Sequence, residues 1–284
     1  MKRLITTMIG IFVVLTTIRA QIVEAGVLMG VSNYAGDLTP EGVENEEYKM
    51  AFGVLARYNH GHHLSFRFSF IKGSISGSDR HTEVGIDRRQ RNLSFQSTIY
   101  EASLVAEFNL LGYNVLENIT QFTPYAFLGI AGFHHSPEGY INNRWYDLQS
   151  LGTEGQGLEG GPGKYKKFQF GIPMGLGFKA SLSEYVNFGV EIGGRKTFTD
   201  YLDDVSTVYP NLQQLREQGD LIASDLSYRT PEYDPTLAVT EPQGRIRGNP
   251  DAKDWYFIGA VSLTFNLGIG GYGYGPTPHA RPKF

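Results

Sequence analysis

No cysteine occurs among the 284 residues. Its absence excludes a structural disulfide, a thiolate metal site and a cysteine nucleophile together. Long apolar runs are equally scarce. After the first fifteen residues no stretch approaches the roughly 20 apolar residues that cross a bilayer as a helix. Positive charge is in deficit as well, with 25 Lys and Arg against 29 Asp and Glu and a net charge of −4. A chain of that sign lacks the cationic face that phosphates require, so no nucleic-acid partner is expected.

What is present begins with an address. Lys2 and Arg3 precede an apolar run from Leu4 to Leu15, too short to span a membrane, and Ala20 offers a small residue for cleavage before Gln21. Residues 1–20 therefore read as a signal peptide. Without Lys2, Arg3 and Arg19 the remaining chain has a net charge of about −7. It is also rich in 18 Phe, 17 Tyr and 35 Gly, a load without long apolar runs that suggests a barrel.

The decisive pattern is period-two alternation in segments of about ten residues, the requirement for strands with lipid on one face and a polar lumen on the other. Leu64, Phe66, Phe68 and Phe70 alternate with His63, Ser65, Arg67 and Ser69. Tyr100, Ala102, Leu104, Ala106, Phe108 and Leu110 alternate with Glu101, Ser103, Val105, Glu107 and Asn109. Phe168 to Phe178 and Trp255 to Leu267 repeat the pattern, the former with Gly171, Gly175 and Gly177 on its opposite face. With weaker cases added, eight strands are predicted: about 22–35, 48–60, 62–71, 92–110, 121–135, 165–181, 184–198 and 254–268. The connections alternate short and long, the longest being about 136–164 and 199–253. That asymmetry belongs to outer-membrane barrels, with short periplasmic turns and long external loops.

Alternation alone does not say which face points inward. A soluble sandwich or lipocalin-like barrel also alternates, with its apolar side chains inside. The apolar faces here carry large aromatics along nearly their whole length. The polar faces carry Arg57, Arg67, Glu101, Glu107, Lys179, Glu191 and Arg195, which can pair within a narrow lumen and plug it. The expectation is an all-β, eight-stranded, antiparallel up-and-down transmembrane β-barrel over residues 21–268, set in outer-membrane lipid. A Gly/Pro-rich tail follows at 269–284.

Motifs that carry chemistry elsewhere fail here on spacing. Gly152 to Lys164 (GTEGQGLEGGPGK) resembles a phosphate loop, but Leu158 and Tyr165 stand where that motif needs Gly and Ser or Thr. A flexible or specially folded loop is expected instead. His60, His62, His63, His134 and His135 form no HExxH pattern, and no Ser/His/acid grouping supports an enzyme. No cofactor, metal or small-molecule substrate is expected. The informative segment is Arg195 to Tyr209, where alternation gives way at the root of the longest loop to Tyr201, Leu202, Asp203, Asp204 and Val205. Its two aspartates suit a helix cap, a cation site or a partner contact. Asn211 to Asp220 permits a short helix, and 227–253 reads as a mobile segment rich in Pro, Gly and charge. The tail after Leu267 suits either periplasmic contacts or a disordered terminus.

Four strings also carry a resemblance: Tyr34, Gly36, Asp37 and Leu38; Phe122 to Gly132 (FTPYAFLGIAG); Trp145 to Gly157 (WYDLQSLGTEGQG); and Phe198 to Tyr209 (FTDYLDDVSTVY). In these the chain, from about residue 22 to 267, resembles the PorG family, the outer-membrane barrel component of the type IX secretion machinery of Bacteroidota. The resemblance implies an anchor or accessory for the periplasmic ring proteins PorK and PorN. It carries over no catalytic residue and no contact motif.

Overall fold

The computed structural model describes residues 23–39, 42, 45–81, 86–113, 122–183, 185–217, 221–237 and 242–267. The signal peptide and the Gly/Pro-rich tail lie outside the described residues. The strands are β1 (Val23–Ala35), β2 (Lys49–His60), β3 (Leu64–Ser78), β4 (Ser94–Asn109), β5 (Phe122–Ile141), β6 (Arg144–Asp147), β7 (Phe168–Ser181), β8 (Val186–Thr197) and β9 (Trp255–Leu267). All pair antiparallel with their neighbours, and β1 pairs with β9 from Val23–Leu267 to Ala35–Trp255, which closes the barrel. Eight strands form the wall. The ninth, β6, pairs only with β5 and extends it into a ribbon above the rim.

The eight expected strands are present, and the largest differences lie at the upper ends of β3 and β5. β3 runs to Ser78, paired with Ser94 of β4, and β5 runs to Ile141 before Asn142 and Asn143 turn the chain with positive φ of 51° and 61°. The outward aromatics of β3 stop at Phe70, and its hydrogen-bonded ladder continues above them with Ser and Gly; on β5 the outward Tyr140 stands near the upper end.

Burial decides which face is inside. Phe170, Leu176 and Ile192 are 63–65% exposed on the outer surface, while Arg57, Arg67 and Arg195 are 2% exposed inside. A soluble barrel reverses this arrangement, so the lipocalin-like alternative is excluded. Outward aromatics stand at both ends of the wall, with Phe68 and Phe70 between them. Tyr58, Phe108, Phe122, Phe178 and Phe188 lie near the short turns, and Tyr100, Phe168, Trp255 and Phe257 near the long loops.

Both chain ends of the barrel, the turn at 61–63 and the short link between β7 and β8 share one end. The other end is covered by the long loops, whose short helices are α1 (Ile86–Arg91), α2 (Leu148–Leu151), α3 (Leu212–Glu217), α4 (Leu221–Ser227) and α5 (Thr230–Tyr233). The caps of α2 are legible in its sequence. Asp147 accepts the Ser150 amide at 2.9 Å, and Gly152 ends the helix with φ 69°. α3 falls within the expected helix-permissive stretch. The described part of 227–253 contains α5, a bridge from Ile246 to Val208, and the buried Arg247.

Candidate functional site

The lumen is the first part of the site, and it is closed in two layers. Nearer the short turns, strand alternation brings Glu24, Glu107 and Glu191 to the inside with Arg57, Arg67 and Lys179; Glu101 and Arg195 face inward higher up, beside Ile71, Phe133 and Tyr256. Arg57 lies 2.8 Å from Glu24 and 2.9 Å from Glu107; Arg67 lies 2.8 Å from both Glu107 and Glu191; Lys179 lies 2.9 Å from Glu107. Arg195 meets Glu101 at 3.0 Å, and Tyr256 donates to the same carboxylate at 2.7 Å. The formal charges balance, which is how ions tolerate burial in a narrow space. Tyr113 enters from the 110–113 turn and donates to Asn187 at 2.9 Å, filling the mouth below them.

Glycines admit the rings that fill the remaining lumen. Phe127 lies where a Cβ at Gly193 would approach its Cζ to 2.5 Å and one at Gly175 to 2.7 Å, and Tyr125 covers Gly177 in the same way. Above the ionic layer, Leu28, Leu55, Ile71, Ile99, Phe133 and Ile258 form an apolar plug continuous with Leu38, Leu148, Leu202 and Leu226 of the loops. Barrel and loops thus share one core.

The second part is this loop cap, and the root of the longest loop is its centre. Leu202, Asp203 and Asp204 are buried and Tyr201 is half-buried. Tyr34 Oη donates to Asp203 Oδ2 at 2.6 Å and lies 3.3 Å from Asp254 Oδ1, while Asp254 Oδ2 accepts the Leu202 amide at 2.9 Å. Asp203 Oδ1 accepts the Val205 amide at 2.9 Å in a local turn. Asp204, at φ 66°, accepts from Tyr165 Oη at 2.7 Å and from Thr153 Oγ1, and its own carbonyl accepts from Arg247 at 2.6 Å. Neither aspartate caps a helix. Among the described residues, no group of three or more His, Asp or Glu is arranged to hold a metal ion, so the cation reading of this pair finds no geometry. Both side chains point into the cap, so a partner on the outer surface does not reach them.

The glycine-rich segment has a structural task in the same cap. Gly152, Gly155, Gly157 and Gly160 take positive φ between 69° and 97°, folding a chain of tight turns rather than a phosphate cradle. This presents Glu154, whose carboxylate accepts the Ser206 amide at 2.8 Å and the Thr207 hydroxyl at 2.8 Å and pairs with Arg247 at 2.9 Å. Arg91 mirrors it. Its guanidinium holds Asp79 at 2.6 and 2.8 Å and also donates to the carbonyls of Asp37 and Arg247. Tyr201 stacks on Tyr165 at 4.5 Å, and Tyr165 stacks on His135 at 5.9 Å.

Carboxylates outnumber the buried arginines here, and burial sets their titration. It pushes Asp200 and Asp204 each up to about 7, and it holds Asp203 and Asp254 well above the ordinary carboxylate range, with their mutual proximity adding to the effect on Asp254. Sequence reasoning singled out residues 201–204 but missed Tyr34, Glu154, Arg91, Arg247 and Asp254 as their partners. Loop residues have no periodicity from which inward orientation could be read.

A closed antiparallel barrel that is apolar outside, ion-paired within and bolted shut by its loops is a membrane β-barrel of the outer-membrane type. Residues 2–230 match the family described as Domain of unknown function (DUF6089), and the chain belongs to that family. No curated protein matches it. Among solved structures it is similar to the attachment invasion locus protein Ail of Yersinia pestis, at 8% identity over 87% of this chain and 97% of that one, with a TM-score of 0.39. It is also similar to Neisserial surface protein A, at 6% identity over 88% and 98% with a TM-score of 0.39. A third is the N-terminal β-barrel domain of Pseudomonas aeruginosa OprF, at 9% identity over 88% and 98% with a TM-score of 0.36.

Proposed function

We propose that the chain is an outer-membrane anchor, neither a pore nor an enzyme, and that it tethers the periplasmic PorK and PorN ring of a type IX secretion machinery. The observation that carries the anchor reading is the sealed lumen. Four ion-paired cations and carboxylates, an apolar plug and a loop cap occupy the path a solute would take. The ring partners rest on the resemblance to PorG in residues 34–38, 122–132, 145–157 and 198–209.

On this reading the ring meets the end with the short turns, where Leu110, Leu111, Leu182 and Tyr185 are exposed. A second reading is a small outer-membrane barrel with a structural role outside any secretion system. It is favoured by where three of the resembling strings lie: Tyr34, Glu154, Asp203 and Asp204 bond into one cap and need no partner to satisfy them. A mild-detergent pull-down of the tagged barrel from outer membranes separates the two. Recovery of PorK and PorN supports the anchor of the ring; a barrel recovered alone under several gentle conditions leaves the second reading.

A further inference from the structure

A cavity of about 490 Å³ opens in the cap between the turn at Asp37, helix α1 and the 242–249 return of the longest loop. That volume falls within the range of roughly 300–1,000 Å³ typical of small-molecule sites. Arg88, Arg91, Arg245 and Arg247 line it against only two carboxylates, Asp37 and Asp87. The counter-ions of the two buried arginines, Asp79 and Glu154, are not part of the wall.

Of the other two, Arg88 donates to the Asp37 carbonyl at 2.6 Å and its charge also acts on the Asp37 carboxyl; Arg245 is exposed and has neither a side-chain hydrogen bond nor an ion pair among the described residues. Asp37 is already engaged, since its Oδ2 accepts the Asn249 amide at 2.8 Å. Opposite the charges, Tyr209 and Tyr228 meet edge to face with centroids 5.4 Å apart, and Leu237 and Ile246 are exposed at the lip.

We propose that this cavity binds a small organic anion, a carboxylate or phosphate carried on a ring or short apolar body. Arg88 and Arg245 hold the anion, because guanidinium groups make directional, charge-assisted pairs with both oxyanions. The Tyr209–Tyr228 wall and the apolar lip take the body of the ligand. Nothing in this inference depends on the anchor reading, and failure of the pull-down leaves it standing.

The test is calorimetric titration of the detergent-solubilised full barrel with N-acetyl-phenylalanine, its uncharged amide, and phenyl phosphate, at fixed ionic strength. At least one anion binds saturably and the amide does not. Arg245→Gln, which breaks no side-chain hydrogen bond or ion pair among the described residues, weakens that binding about tenfold, the loss expected for one charge-assisted hydrogen bond. Arg88→Gln does the same. Binding of only the acid or only the phosphate assigns the oxyanion. Three outcomes overturn the proposal: neither anion binding in the millimolar range, equal binding of acid and amide, or Arg245→Gln binding as tightly as the parent.

Discussion

Glu107 is the residue on which the lumen turns, because Arg57, Arg67 and Lys179 all reach it. Glu107→Gln removes one negative charge from a balanced set and leaves four cations facing three carboxylates. The expected loss is about 3–5 kcal/mol, the cost of stranding a buried charge, read from urea unfolding of the barrel in detergent. Lys179→Met in the same chain restores neutrality and recovers part of it. A Glu107→Gln barrel as stable as the parent would show that the network is not coupled. All members of this network but Glu24 were legible in the sequence, since alternation put them on polar faces. Their partners were not, because period two gives a face and no angular position. Arg67 finds Glu191 at a separation of 124 residues, across the lumen.

The cap aspartates titrate with the opposite sign from ordinary surface carboxylates. Asp200 and Asp204 sit at about 7 in the folded cap against roughly 3.9 in an unfolded chain. A raised acid binds its proton more tightly when folded. Its contribution is therefore full below about pH 3.9 and is lost as pH rises through about 7. Cleavage of the 199–253 loop by a protease of broad pH range should be slower at acidic than at alkaline pH after correction for protease activity. Asp204→Asn, which carries no titrating proton, should flatten that difference. An unchanged pH dependence in both Asp204→Asn and Asp200→Asn would remove these groups from the account.

At the scale of elements, the joint between β5, β7 and β8 is set by missing side chains. Phe127 of β5 occupies the space that Gly175 and Gly193 leave open. Gly193→Val would overpack this joint, at a cost of about 1–3 kcal/mol or more, and Phe127→Ala in the same chain should return much of it. Thermal unfolding followed by the mobility shift of heated against unheated barrel would measure both. Gly175 was visible in the sequence as one of the small residues facing the apolar set of its strand. That a ring from the neighbouring strand fills the space could not be read, because it depends on register. The short strand β6 was missed for a related reason. Its four residues are too few to show a period, and only pairing with Glu138 to Ile141 makes them a strand.

For the whole molecule, the asymmetry of the two ends fixes how it must sit if the long loops face outward. The absence of native cysteine makes this directly testable, since one introduced thiol reports its own side of the membrane. Asn142 lies at the tip of the β5–β6 ribbon, and His62 lies in the exposed turn between β2 and β3 at the opposite end. Asn142→Cys should react with a membrane-impermeant maleimide on intact cells. His62→Cys should react only after the outer membrane is permeabilised. The reverse pattern would place the cap in the periplasm, and the cavity lined by Arg88 and Arg245 would then sample periplasmic rather than external anions. The same two proteins in planar bilayers should show no steady ion conductance, because the ionic layer, the apolar plug and the cap lie in series. Conductance that persisted in the unmodified barrel would mean that these layers open together, and it would replace the anchor with a gated pore.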